Sequence, residues 1–165
     1  GASLGEIVPL GNTVLRGYLK NPAAPATAFA GGYFHTGDLA VRHPDGYLEV
    51  KDRSKDVIIS GGENVSSIEV EDVLHAHPAV AEVAVVGAPH ERWGETVVAL
   101  VVVAEGHPDV TEQELVDHCR QRLAHYKCPT HIEFREALDR TATGKLQKFK
   151  LRAPFWEDSE VHVRG

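Results

Sequence analysis

The sequence predicts an α+β protein, in which a β-rich N-terminal part precedes a small mixed α/β domain. Short apolar stretches separated by glycine and proline occupy the first fifty residues, a pattern typical of strands and turns. Two later runs, residues 80–86 and 97–103, are rich in valine and have the length of buried strands. Ser66 and Thr111 each precede a glutamate by three residues, which is the spacing of a helix-capping box.

The N-terminal part is predicted to contain strands joined by turns and exposed loops. Its apolar stretches are GEIVPLG, NTVLRGYL, GYFHTGDLAV and GYLEV. The sequence HPDG at residues 43–46 predicts a tight turn between the last two, because proline is preset for the second turn position and glycine suits the end. Residues 21–32 are rich in alanine and proline, so we expect an exposed loop there.

The pattern changes at the charged hexapeptide KDRSKD, residues 51–56, and we place a domain boundary at residues 53–55. The following part reads β-α-β-β-α-β-α, which predicts a three-stranded sheet with helices, plus a β-hairpin. Each of the first two helices has an apolar stripe that we expect to be buried. These stripes are Val70, Val73 and Leu74 in the first helix, and Leu115, Cys119 and Leu123 in the second.

Composition and charge exclude several classes of protein. The net charge of −7 disfavours a general nucleic-acid or anionic-membrane binder. The longest apolar run, residues 97–104, is too short for a transmembrane segment, and the first residues lack the pattern of a signal peptide. Cys119 and Cys128 match no metal-ligand spacing, and His75 and His77 lack the i, i+4 spacing of helical ligands. We therefore expect no metal site and a reduced, cytoplasmic protein.

The first candidate ligand-binding segment runs from Gly32 to Asp38. In it, an aromatic pair leads into a Thr-Gly turn that ends in a carboxylate. A carboxylate held at a turn can accept hydrogen bonds from a vicinal diol such as a ribose. The alternative is an aspartate that only closes the turn on its own backbone.

The second segment is KDRSKDVIISGGENV, residues 51–65, where a charged cluster meets Gly61 and Gly62. The two glycines permit unusual backbone dihedrals or the close approach of a ligand to the backbone. The alternative is a β-turn beside a solvated charge cluster.

The third segment is DRTATGKLQK, residues 139–148, which carries Lys145 after a glycine. A phosphate loop of the GxxxxGK[ST] type is excluded, because Asp139 and Leu146 occupy its glycine and Ser/Thr positions. The remaining interpretation is a mobile loop that carries a cationic side chain. Such a cation can stabilise negative charge developing on a carboxylate or phosphate. The alternative is an ordinary solvated surface lysine.

In this order, the segments resemble successive signatures of the adenylate-forming (AMP-binding) enzymes, which include acyl-CoA synthetases, luciferases and nonribosomal adenylation domains. The matching stretches are GYFHTGDLA, YLEVKDRSKDVIISGGENVSSIEVE, VVGAPHERWGE and RTATGKLQK. The resemblance covers nearly the whole chain. SGGENVSSIEVE, WGE at residues 93–95 and HYKCP at residues 125–129 fit the fatty acyl-CoA synthetase branch best.

This resemblance implies a role for each candidate residue. Asp38 and Arg53 would bind the ribose of ATP, and Lys145 would be the catalytic lysine of adenylation. Lys55 stands at the hinge position, where many relatives carry aspartate. Ser60, Gly61 and Gly62 would line the tunnel for the pantetheine arm of coenzyme A.

The resemblance also implies a division of the chain and a reaction. Residues 1–52 would end the β-barrel part of a large N-terminal domain, and residues 53–165 would form the mobile C-terminal domain. A carboxylic acid, expected to be a fatty acid, would attack the α-phosphate of Mg-ATP, and the acyl-adenylate would then pass its acyl group to coenzyme A. The phosphate loop and acyl pocket of the large domain, which would also hold most of the Mg²⁺ contacts, are absent from this sequence. We therefore expect a C-terminal fragment that is inactive alone.

Two other functions remain open at this point. The chain could be a non-catalytic interaction or regulatory module, or the acceptor could be a phosphopantetheinyl carrier protein, or oxygen as in luciferases, rather than coenzyme A. Acyl chain length and oligomeric state are not indicated by the sequence.

Overall fold

The computed structural model describes residues 4–17, 26 and 28–157, and the chain divides into two compact units, residues 1–55 and 56–165. The first unit contains a three-stranded antiparallel sheet in the order β1-β2-β3. Its strands are β1 (Leu4–Glu6), β2 (Asp38–Arg42) and β3 (Leu48–Arg53), and a short 3-10 segment, Ala30–Gly32, precedes β2.

The HPDG turn predicted between β2 and β3 is confirmed. The amide of Gly46 donates to the carbonyl of His43 at 2.9 Å, and Gly46 has φ 94°, which favours glycine. Residues 12–17, within the stretch NTVLRGYL, form turns and bends instead of the strand that the pattern favours. The rest of that stretch and most of the predicted loop at residues 21–32 lie outside the described residues.

The second unit is a mixed α/β domain built on a five-stranded sheet. Its elements in chain order are β4 (Ile58–Ser60), β5 (Glu63–Val65), α1 (Ser67–His75), β6 (Val80–His90), β7 (Gly94–Val103), α2 (Glu112–Arg120), β8 (His131–Phe134) and α3 (Lys148–Trp156). The strand order is β5-β4-β7-β6, with β8 parallel to β7. Strands β6, β7 and β8 form the predicted three-stranded sheet, and the β4–β5 hairpin is paired with β7 where Ser60 lies opposite Gly94.

Both predicted helix N-caps, Ser66 and Thr111, are present. The hydroxyl of Ser66 accepts from the Glu69 amide at 3.3 Å, and that of Thr111 accepts from the Glu114 amide at 3.2 Å. These contacts satisfy backbone donors that the first helical turn leaves without an internal acceptor. Pro78 lies just beyond the end of α1 at His75, where its ring and missing amide proton disfavour a longer helix.

Residues 83–88 of β6 and 97–101 of β7 are buried on both faces of the sheet, which explains their largely apolar sequence. One face of β6 and β7 packs on α1 and α2, through a cluster that includes Val85, Ala99, Leu74 and Leu115. The other face packs on the α3 side, through a cluster that includes Val86, Leu100, Leu138 and Leu151. Of the predicted stripes, Val73 and Leu123 are only partly buried, and Leu123 lies beyond the end of α2.

Candidate functional site

Asp38 and Arg53 face each other across the first sheet, as the first residue of β2 and the last residue of β3. The Arg53 Nε donates to Asp38 Oδ1 at 3.2 Å, and both side chains are accessible, at 69% and 35% exposure. A carboxylate offers acceptors and a guanidinium offers several donors, so this pair can bind a ligand with vicinal hydroxyls. The structure thus brings together two residues that are fifteen positions apart.

Glu6 and His35 shape the turn that leads into Asp38. Glu6 Oε1 accepts from the Gly37 amide at 2.9 Å, and Glu6 Oε2 lies 2.8 Å from His35 Nδ1. The hydrogen bond to Glu6 raises the pKa of His35, and the same contact lowers the pKa of Glu6. The Thr36 hydroxyl accepts from the Asp38 amide at 3.1 Å. Sequence reasoning missed Glu6 and His35, because nothing in their local patterns links positions 29 residues apart.

Ser60, Gly61 and Gly62, here called the glycine turn, join β4 to β5. Ser60 pairs with Glu63, so Gly61 and Gly62 form a two-residue hairpin loop, with φ values of 61° and 88°. Two successive positive φ angles match the twist of a tight hairpin and favour glycine at both positions. The Gly61 amide donates to the Trp93 carbonyl at 2.9 Å, which holds the turn beside the start of β7.

A cleft of about 780 Å³ opens beside the glycine turn, and we call it the Gly61 cleft. Its lining comprises Ser60, Gly61, Glu63, Trp93, Thr96, Val97, Thr111, Glu112, Gln113, Val116, Arg120, His125, Tyr126, Cys128, Pro129 and Thr130. The Trp93 ring stacks on the His90 imidazole with centroids 4.3 Å apart and is 40% exposed. Apolar walls with aromatic, cationic and hydroxyl groups suit an elongated, partly polar ligand. Of this lining, sequence reasoning identified only Ser60 and Gly61.

Lys145 lies in a hairpin formed by residues 139–147, here called the lysine hairpin, and its side chain is exposed. The Thr141 amide donates to the Lys145 carbonyl at 2.8 Å, and the Gly144 amide donates to the Thr141 carbonyl at 2.9 Å. Arg140 and Leu146 pair as an isolated β-bridge. The sequence predicted a mobile loop here, and residues 139–147 form a hydrogen-bonded turn within it. Thr141 supports that turn by accepting from the Lys145 amide at 3.1 Å, a contact that apolar periodicity does not reveal.

Arg140 ties the lysine hairpin to the sheet. Its Nη1 donates to the Gly144 carbonyl at 2.7 Å, and its Nη2 lies 2.7 Å from Glu82 Oε2 on β6. Since both ends of this bridge belong to the second unit, Lys145 is held as part of that unit. Its ammonium is available to a ligand that reaches this surface.

Lys55 is the last residue of the first unit and lies in an exposed turn. Within residues 4–17, 26 and 28–157, no group of three or more His, Cys, Asp and Glu side chains is arranged to hold a metal ion. In the same residues, no helix has the length and apolar character needed to cross a bilayer.

Comparison with known proteins places these sites in a family context. Residues 69–145 match the family model described as AMP-binding enzyme C-terminal domain. A probable CoA ligase of Humulus lupulus is 56% identical over 92% of this chain and 27% of its own length. An acetate–CoA ligase of the same plant is 52% identical over 93% of this chain and 28% of its length.

Solved structures give the same result. ATP-bound MatB from Rhodopseudomonas palustris superposes with a TM-score of 0.86 and 36% identity, over 93% of this chain and 30% of that one. The o-succinylbenzoate CoA synthetase MenE of Bacillus subtilis, in complex with its acyl-adenylate, gives 0.82 and 38%, over 98% of this chain and 32% of that one. The chain therefore spans less than one third of the length of these relatives, and it matches the mixed α/β fold predicted from the sequence.

Proposed function

The chain belongs to the adenylate-forming, or AMP-binding, enzymes and carries their C-terminal domain, and from this premise we propose that it serves a CoA ligase. The ligase activates a carboxylic acid with ATP to an acyl-adenylate and then transfers the acyl group to coenzyme A. One observation carries the proposal. The second unit presents an exposed lysine on a braced hairpin and, separately, a glycine turn that opens into a cleft.

The lysine hairpin supports the first half-reaction. A carboxylate oxygen attacks the α-phosphate of ATP, the bond to the leaving pyrophosphate breaks, and negative charge develops on the phosphate oxygens. The Lys145 ammonium would contact the carboxylate and phosphate oxygens, and its contribution is positional and electrostatic. Asp38 and Arg53 would hold the ribose hydroxyls, consistent with their cross-strand pair.

The Gly61 cleft supports the second half-reaction. The thiol of coenzyme A attacks the acyl carbon, the carbon–oxygen bond to the phosphate breaks, and AMP leaves. Glycine at position 61 allows a pantetheine arm to approach the backbone, and the aromatic and cationic lining suits the remainder of that ligand. We propose that the second unit pivots at Lys55 between the half-reactions, so that the glycine turn replaces Lys145 at the reacting centre.

The substrates follow from this assignment. ATP would arrive with Mg²⁺ on its phosphates, held mainly by a large N-terminal domain, as the resemblance to adenylate-forming enzymes implies. We propose a fatty acid as the carboxylic acid. Acetate, butyrate and 2-methylpropanoate, which appear in the names of relatives, are the first substrates to test.

We further propose a cytoplasmic enzyme, because two buried free cysteines suit a reducing compartment. Several relatives, including a butyrate–CoA ligase of Arabidopsis thaliana, are named peroxisomal. Imaging of the tagged complete protein distinguishes the two compartments.

The decisive experiment joins this chain to the N-terminal part of the Humulus acetate–CoA ligase in place of that enzyme's own C-terminal part. ATP–pyrophosphate exchange and acyl-CoA formation are then measured with the three acids. We expect both activities in the chimera and neither in the isolated 165 residues. A folded chimera without either activity would contradict the proposal and favour a non-catalytic module.

The same chimera tests the acceptor. A phosphopantetheinylated carrier protein is offered in place of coenzyme A, at equal concentration. If the acyl group is transferred to the carrier and not to coenzyme A, the carrier is the acceptor, and the proposed adenylation step is unchanged.

A further inference from the structure

Glu95, the second residue of β7, places its carboxylate inside the second unit, where the side chain is 7% exposed. Its Oε2 accepts from the Ile59 amide on β4 at 3.0 Å, and its Oε1 accepts from Arg152 Nη2 on α3 at 2.7 Å. One carboxylate therefore joins three elements that are distant in sequence.

The surrounding residues are shaped to admit this carboxylate. A Cβ at Gly87 would lie 2.7 Å from Glu95 Oε2, so a larger residue at position 87 would collide with it. The Gly87 carbonyl accepts from Trp156 Nε1 at 2.9 Å, and the Arg152 guanidinium lies over the Trp156 ring at 4.6 Å. Strand glycine, helix tryptophan and helix arginine thus enclose the buried acid.

A buried ion pair is a poor source of stability, because the cost of removing both charges from water offsets their attraction. The geometry offers another role. Ile59 directly precedes Ser60, and a buried acceptor with two simultaneous partners fixes that backbone amide in one place.

Two further contacts act on the same segment. Ser60 pairs with Gly94, and the Gly61 amide donates to the Trp93 carbonyl. Residues 93–95 therefore contact three successive residues, 59–61. Of these three contacts, the one made by Glu95 comes from a side chain and the other two come from the backbone. Through Arg152 the same carboxylate is attached to α3, which begins three residues after Lys145.

We propose that Glu95 is a positioning residue for the thioester half-reaction: it holds the glycine turn in register with the Gly61 cleft by anchoring the Ile59 amide to α3. This inference rests on the function proposed above. It assigns Glu95 no contact with substrate.

The test uses the active chimera with Glu95→Gln, which keeps the volume but replaces one of the two accepting oxygens with an NH2 donor, so that either the Ile59 amide or Arg152 loses its acceptor. We expect thioester formation from supplied acyl-adenylate to fall about tenfold, the loss that corresponds to one hydrogen bond. ATP–pyrophosphate exchange should change less than about threefold. Glu133→Gln is the matched control, since Glu133 pairs with Arg135 on the same sheet, away from the turn.

A second variant leaves the carboxylate in the protein. Gly87→Ala places a methyl group against Glu95 Oε2 and should reproduce the selective loss of thioester formation. In the 165-residue chain, both variants should accelerate hydrogen exchange at the Ile59 and Gly61 amides about tenfold, with the Gly144 amide unchanged.

The outcomes separate this inference from the proposed function. Equal losses in both half-reactions would mean a merely structural role and overturn the inference, as would unchanged thioester formation in both variants. If the unsubstituted chimera is inactive, the proposed function fails, and unchanged exchange at Ile59 would then overturn the positioning role by itself.

Discussion

The Arg140 guanidinium donates to the carbonyl of Gly144 at 2.7 Å, directly before the lysine that the sequence singles out. The same guanidinium contacts Glu82 on β6. Lys145 is therefore carried by a hydrogen-bonded hairpin that is attached to the sheet of the second unit.

Arg140→Gln should weaken adenylation. Without the guanidinium, the Gly144 carbonyl loses its bond and the lysine hairpin loses its tie to Glu82. We expect ATP–pyrophosphate exchange in the chimera to fall about tenfold and thioester formation to be retained. The melting temperature should change little, since the exposed ion pair contributes at most about 1 kcal/mol. A Glu82→Gln double-mutant cycle should be less than additive, and full additivity would argue against the bridge.

Lys145→Ala should abolish adenylation and spare thioester formation from supplied acyl-adenylate. The reason is that the ammonium is required while charge develops on the phosphate, and not when the thiol attacks. The two half-reactions are measured separately in the chimera. Lys150→Ala, at an exposed lysine on α3, is the matched control and should leave both rates unchanged. Equal losses of both half-reactions in the Lys145 variant would remove the assigned role.

Gly61→Val should damage the thioester step more than adenylation. The backbone there has φ 61°, and an added Cβ would lie 3.7 Å from Trp93 Cδ1, so the branched side chain would enter the Gly61 cleft. We expect the KM for coenzyme A to rise about tenfold.

Gly106→Val controls for backbone strain in that experiment. Gly106 has φ 86°, and a Cβ added there would meet no other atom of the described residues within 4 Å. Both substitutions should lower stability by about 1 kcal/mol. If the Gly106 variant loses as much coenzyme A binding as the Gly61 variant, then backbone strain, and not entry into the Gly61 cleft, explains the Gly61 effect.

The Glu6–His35 pair should make the first unit most stable between about pH 4.5 and 6.5. The raised pKa of His35 provides stability below its unfolded value, and this stability is lost as pH rises through the folded value. The lowered pKa of Glu6 provides stability above its unfolded value, which is lost as pH falls through the folded value. In a pH titration by NMR, Glu6→Gln should lower the pKa of His35. An unchanged His35 titration would contradict the pairing.

Several features were correctly predicted because they depend on residues close in sequence. The caps at Ser66 and Thr111 need an acceptor three residues before a donor, and the turn at residues 43–46 needs proline and glycine at fixed places. The valine runs of β6 and β7 are largely apolar because both faces of the sheet are covered over residues 83–88 and 97–101, and Glu82 is the exception in β6. Such signals are local, so a reading of neighbouring residues detects them.

The sequence by itself determined the α+β architecture, the two helix starts and the candidate residues Asp38, Gly61 and Lys145. Only the tertiary structure decided what surrounds them, because those contacts join distant parts of the chain. Glu95 meets Ile59 across 36 residues and Arg152 across 57, and Arg140 reaches Glu82 across 58. A charged side chain gives the same local pattern whether it is solvated or buried against a distant partner. The packing of distant elements against one another therefore decides whether a glutamate or an arginine stays solvated or forms a contact that positions the candidate site.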